Sequence, residues 1–289
     1  MRFEGIWVPL VTPFREGQVD HAALAALAKR LAEAGVAGLM VCGTTGEPAT
    51  LSRSEQDAVL ATVLVAVQEK CPVLMGIAGY DTTTVAADAE HFSKTGIAGL
   101  LVTAPYYVRP SQEGLRLHFE AVAKATALPI VIYNIPYRTG VCLELETLQA
   151  LARNPQFAAI KECGASLERL TRLVHETPLS VLTGEDDMVF ITACLGGAGA
   201  VAASAHVFLA EQQEILRRVQ AGDVAGARRI HLSILPGLRL LFSEPNPAPL
   251  KAVLALQGDL HEELRLPMTA VSAACRDVLR AHFSGPRDC

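Results

Sequence analysis

Short apolar runs alternate with segments whose apolar positions recur every three or four residues, and the alternation repeats at intervals of about thirty residues. Three of the runs, AGVAGLMVCG (34–43), TGIAGLLVTA (95–104) and LGGAGAVAAS (195–204), share one grammar. A helix-closing glycine is followed by a small residue, a second glycine and an apolar stretch. Three more, CPVLMGIAG (71–79), LPIVIYNIP (128–136) and TPLSVLTGED (177–186), open beside a proline and continue as aliphatic runs. With GIWVPLVTP (5–13) and FAAIKECG (157–164) they predict eight strands, apolar on both faces, as in a parallel sheet covered by helices.

The intervening segments predict helices with legible ends. DHAALAALAKRLAEAG (20–35) starts at an Asp20 cap and closes at Gly35. In SRSEQDAVLATVLVAVQEK (52–70), Ser52 and Glu55 have the spacing of a capping box. DTTTVAADAEHFSKTG (81–96) and SQEGLRLHFEAVAKAT (111–126) repeat the pattern. Eight strands in one unbroken alternation favour a closed (β/α)8 TIM barrel over 1–205 rather than an open sheet. Beyond 205 the strand pattern stops. AEQQEILRRVQAGD (210–223), VAGARRIHLSILPGLRLLF (224–242), the proline-rich SEPNPAPLK (243–251) and PMTAVSAACRDVLRAHF (267–283) read as helices. No Gly/Ser linker separates them, so 206–289 is expected to be a helical extension packed on the barrel, in one structural unit.

Composition agrees with a large packed core: 51% of the 289 residues are hydrophobic and 19% charged. The net charge of −5, without a run of Lys and Arg, argues against a nucleic-acid partner. The opening MRFEGIWVPLVTPFREG lacks the continuous apolar core of a secretory signal. GGAGAVAASAHVFLA (196–210) is too short and too rich in small residues to span a bilayer, so no membrane partner is expected. The seven cysteines include no C-x-x-C pair and are odd in number, which suggests neither zinc nor a disulfide framework. A soluble protein of the reducing cytoplasm is the expectation.

In an α/β barrel the chemistry gathers where the strands end. Those positions here carry GTTGEP (43–48), APYYVRP (104–110), YNIPYRTG (133–140), Lys161, TGEDD (183–187), and Val201 and Ala202 followed by Ser204. Lys161 is the oddest of them, because an apolar strand has no use for an ammonium group. GTTGEP lacks the Gly-Lys pairing of a phosphate loop, and TGEDD has no His nearby to complete a metal site. Each element has an ordinary alternative. Lys161 has Glu162 beside it as a salt-bridge partner, the tyrosines suit a core, GTTGE suits a helix-capping turn, and Arg138 suits the surface. Their joint placement after successive strands favours a nucleophilic amine served by phenols and hydroxyls, which is Schiff-base chemistry.

GTTGE (43–47), YNIPYRTG (133–140) and the lysine of IKE (160–162), in this order and at these intervals, resemble the dihydrodipicolinate synthase/N-acetylneuraminate lyase family of pyruvate-dependent class I aldolases. The match runs from PLVTPF (9–14) to SEPNPAPLK. The resemblance implies a Schiff base between Lys161 and pyruvate, with Tyr133 as acid–base group and no separate cofactor or metal. Thr44 is implied to link Tyr133 to Tyr107, which in the family enters from a neighbouring subunit of a dimer or tetramer. Thr45, with backbone groups near Val201 and Gly184, is implied to hold the pyruvate, and Arg138 the carboxylate of L-aspartate 4-semialdehyde. Arg138-Thr139-Gly140 favours this aldehyde over a sugar. Tyr137, where a small residue is usual, keeps open other 2-oxo acids: 2-keto-3-deoxy sugar acids, sialic acid or a hydroxyproline-derived substrate. Arg53, Gln56, Tyr80 and Thr84 depart from the residues of lysine-inhibited members, so weak or absent inhibition by lysine is expected.

Overall fold

The computed structural model describes residues 2–284, so Cys289 lies outside it. Eight parallel strands, β1 (Gly5–Pro9), β2 (Gly38–Val41), β3 (Val73–Ile77), β4 (Gly99–Thr103), β5 (Ile130–Asn134), β6 (Phe157–Glu162), β7 (Ser180–Thr183) and β8 (Gly199–Val201), pair in chain order and close into a barrel. Closure is made by Trp7 of β1, which faces Gly38 on one side and Val201 on the other. Eight helices return the chain over the outside: α1 (His21–Glu33), α2 (Arg53–Val67), α3 (Thr82–Phe92), α4 (Gln112–Lys124), α5 (Leu145–Leu151), α6 (Leu167–Glu176), α7 (Val189–Cys194) and α8 (Ala205–Gln220). All eight strands predicted from the apolar runs are present.

The local signals act as their chemistry requires. The Asp20 carboxylate accepts the Ala23 N–H at the start of α1, and Ser52 and Glu55 form the reciprocal capping box that opens α2. The repeated grammar has a backbone cause. Gly35, Gly96 and Gly196 all take positive φ (77°, 86° and 88°), which turns the chain from a helix into the next strand at no steric cost.

Two cores result. One fills the space between sheet and helices; the other, inside the barrel, is built from Trp7, Met40, Leu74, Leu101, Val131 and Leu182 among others. Beyond α8 the chain forms α9 (Val224–Leu241), α10 (Ala248–Leu256) and α11 (Ala273–Phe283). Helix α9 lies along α8, and α10 packs against α11. Helix α11 starts later than the apolar pattern from 267 suggests, because the Ser272 hydroxyl accepts the Cys275 N–H and fixes its first turn there. Among the described residues no helix is long and apolar enough to cross a membrane.

Candidate active site

Strands β5 and β6 run parallel and, past a register shift between Ile130 and Val131, set Tyr133 directly opposite Lys161. Both side chains point into the barrel, where only 3% of Tyr133 and 5% of Lys161 is exposed. The Lys161 Nζ lies 4.2 Å from the centre of the Tyr133 ring. Successive strand residues face opposite ways, which sends Glu162 outward. There its carboxylate accepts Asn134 Nδ2 at 2.8 Å and Arg169 Nε at 2.9 Å. The acid that seemed the natural salt-bridge partner of Lys161 is therefore engaged elsewhere. Among the described residues Lys161 makes no ion pair.

Opposing influences act on the Lys161 amine. Burial, the largest, disfavours the charged form; Tyr133, Cys163 and Asp186 as anions would favour it, and with all of them ionised the lysine sits above its ordinary pKa. Burial, however, pushes the Tyr133 phenol up and the Cys163 thiol to about 12. Near pH 7 both are neutral, so burial is opposed chiefly by Asp186 and by the Tyr133 ring face. Asp186 is itself raised by burial, to about 6, although its Oδ1 accepts the Ser204 N–H at 2.6 Å. At neutral pH Asp186 is mostly ionised and favours the ammonium, while burial favours the neutral amine that reacts.

The other strand ends enclose this pair. Val201, at the end of β8, is buried in the same interior cluster as Tyr133. Gly184, just past β7, donates its N–H to Glu162 O at 2.8 Å. A Cβ at 184 would lie 2.7 Å from Lys161 Cε, so the lysine stem occupies the space this glycine leaves. After β2, the Thr44 hydroxyl is one of the weaker influences that lower the Tyr133 phenol against burial, while the neighbouring Thr45 hydroxyl is buried and accepts Asn246 Nδ2 at 3.0 Å. Glu47, in the left-handed region at φ 53°, closes the turn on the buried ammonium of Lys251. The GTTGE segment is thus a short helical turn clamped from the extension as well as a lead-in to α2.

A cavity of about 540 Å³ lies at these strand ends, lined by Thr44, Thr103, Ile135, Arg138, Tyr106 and Asn246 among others, with Lys161 and Tyr133 buried outside its lining. Arg138 forms no ion pair among the described residues, which leaves its guanidinium free at the mouth. Tyr137 spans the rim: its hydroxyl donates to Glu185 Oε1 at 3.0 Å, and the same oxygen accepts the Gly164 N–H at 2.8 Å. Tyr107 is the one predicted residue that does not join the others. It is 87% exposed, at φ 71°, and has no hydrogen bond to Thr44 within the chain. The sequence reading overlooked Asn246, Lys251 and Asp186. Asp186 lies inside TGEDD and the other two inside SEPNPAPLK, segments singled out without these residues being given a role.

A model of the dihydrodipicolinate synthetase family matches residues 2–284. The chain is 38% identical over 280 residues to the 4-hydroxy-tetrahydrodipicolinate synthase of Syntrophus aciditrophicus, covering 96% of each chain. Against the enzyme of that name from Sorangium cellulosum it is 41% identical over 277 residues, covering 94% of this chain and 92% of the other. The crystal structure of dihydrodipicolinate synthase from Aquifex aeolicus superimposes with a TM-score of 0.95 at 34% identity, covering 98% of this chain and 97% of that one.

Proposed function

The chain belongs to the dihydrodipicolinate synthetase family, and we propose that it condenses pyruvate with L-aspartate 4-semialdehyde, the lyase step toward diaminopimelate and lysine catalysed by a 4-hydroxy-tetrahydrodipicolinate synthase. The observation that carries this reading is Lys161: buried, without a carboxylate partner, and held against Tyr133 across the β5–β6 ladder. Its neutral amine adds to the keto carbon of pyruvate, and loss of water gives an iminium. The iminium charge acidifies the methyl group; removal of a proton gives an enamine whose carbon bonds to the aldehyde. The aldehyde oxygen takes up a proton, and the amino group of the second substrate displaces Lys161 as the ring closes.

Tyr133 carries the protons. Thr44 links its phenol to Tyr107 of a second copy, which completes a relay to solvent. Thr45 holds the pyruvate carboxylate, with backbone groups by Gly184 and Val201. Arg138 takes the aldehyde's carboxylate with two parallel hydrogen bonds, a geometry lysine cannot copy. The exposure of Tyr107 supports a working dimer, and paired dimers in the cytoplasm are the assembly we propose. The test is a coupled assay with pyruvate and L-aspartate 4-semialdehyde. Turnover on the order of 1–100 per second is expected. Negligible turnover, with brisk turnover of a 2-keto-3-deoxy sugar acid, would move the chain to another member activity.

A further inference from the structure

The extension lines the pocket with Asn246, Pro247, Pro267 and Met268, of which Asn246 alone brings a polar side-chain group. Asn246, 201 residues beyond Thr45, donates Nδ2–H to the Thr45 Oγ1 at 3.0 Å. It lines the cavity beside Thr44 and Arg138, and its own Oδ1 is buried with no partner among the described residues. A hydroxyl has one proton to give and two lone pairs to receive. With the amide donating to Thr45, the Thr45 proton is left uncommitted, and among the described residues this hydroxyl makes no other hydrogen bond. The reverse amide orientation would capture that proton on Oδ1 and leave both Nδ2 hydrogens unpaired, where the orientation present leaves Oδ1 and one Nδ2 hydrogen so.

We propose that Asn246 is a positioning residue for pyruvate: by occupying Thr45 Oγ1 as donor, it aims the Thr45 proton at the pyruvate carboxylate. The proposal rests on the reading that Lys161 binds pyruvate and Thr45 its carboxylate. The backbone supports it from the same part of the extension. Lys251, one turn into α10, is fully buried and donates to Glu47 Oε1 at 2.5 Å and to Glu263 O at 2.9 Å. Its Nζ also lies 4.3 Å from the Phe14 ring centre. Glu47 directly follows Thr44-Thr45-Gly46, so α10 pins the far end of the turn whose hydroxyl Asn246 orients. A carboxylate offered to this turn meets a proton already directed toward it.

Two substitutions separate this role from packing. Asn246→Ala removes the donor, whereas Asn246→Asp keeps the shape but presents an acceptor that claims the Thr45 proton and repels a carboxylate. The readout is the pyruvate concentration giving half-maximal borohydride trapping, with the melting temperature measured on the same samples. Asn246→Ala should raise that concentration about tenfold and Asn246→Asp about a hundredfold or more, as loss of a hydrogen bond to a charged group implies. In a Thr45→Val background, Asn246→Ala should add nothing further. A milder effect from the isosteric Asp than from Ala, additive effects with Thr45→Val, or unchanged pyruvate dependence would each overturn the proposal. Failure of the parent protein to trap pyruvate at all would instead remove the underlying reading of Lys161, and this inference with it.

Discussion

Gly184→Ala adds one methyl group at the point where Lys161 passes β7. An ideal Cβ there lies 2.7 Å from Lys161 Cε and 3.2 Å from Lys161 Cγ, with Cys163 Sγ nearer still. Carbon atoms pack best at about 3.5–4.0 Å, so the lysine stem must retreat by nearly 1 Å. Cys163 is buried, with 1% exposed, and is packed within the interior cluster. Overpacking of this kind costs about 1–3 kcal/mol of stability. A displacement near 1 Å at the reacting atom costs on the order of a hundredfold in rate. The variant should therefore fold, melt several degrees lower, and trap pyruvate on Lys161 about a hundred times more slowly. Adding Cys163→Ala removes the sulfur and should recover part of both losses. Wild-type trapping by Gly184→Ala would refute the placement of Lys161 against this glycine, and so would loss of trapping unrelieved by Cys163→Ala.

Three further outcomes follow from the same geometry. His118 and His206, each 2% exposed, are held down to about 4 by burial. A depressed histidine gives stability that is present above its ordinary value of 6.5 and lost as pH falls toward 4, at most about 3 kcal/mol apiece. Asp186, raised to about 6, has the opposite sign: its contribution is present at low pH and lost as pH rises from about 4 to 6, offsetting one histidine. The melting temperature should fall between pH 6.5 and 4, and His118→Gln should flatten that fall; an unchanged slope in the variant would contradict the assignment. If Tyr107 serves a neighbouring site, mixing inactive Tyr107→Phe with inactive Lys161→Ala should restore activity, because hybrid dimers then hold one intact site; no recovery after subunit exchange would refute a shared site. Arg53 is ion-paired with Asp88 and stacked 4.8 Å from the Phe92 ring centre, so a lysine titration should show no half-inhibition in the low-micromolar range.

The barrel was legible because its signals are local. Gly35, Gly96 and Gly196 announce the same turn three times, and the capping residues Asp20 and Ser52 stand within a few positions of the helices they start. Lys161 was legible as an anomaly, a charge ending an apolar strand, and the strand alternation that turns Glu162 outward explains why its obvious partner fails it. The clamp on the GTTGE turn left no such trace. Asn246 and Lys251 meet Thr45 and Glu47 across 201 and 204 residues, and a proline-rich segment has no periodicity that says which face it presents. Tyr107 shows the complementary limit: its chemistry was readable, but within one chain it points away from the site it was assigned to.

The central claim is that Lys161 is the nucleophile. Incubating the protein with pyruvate and borohydride, then locating any adduct by mass spectrometry, tests it directly. One pyruvate-derived reduced adduct per chain, on Lys161 and absent from Lys161→Arg, is the predicted result. No adduct, or an adduct on another lysine that survives Lys161→Arg, would contradict the account.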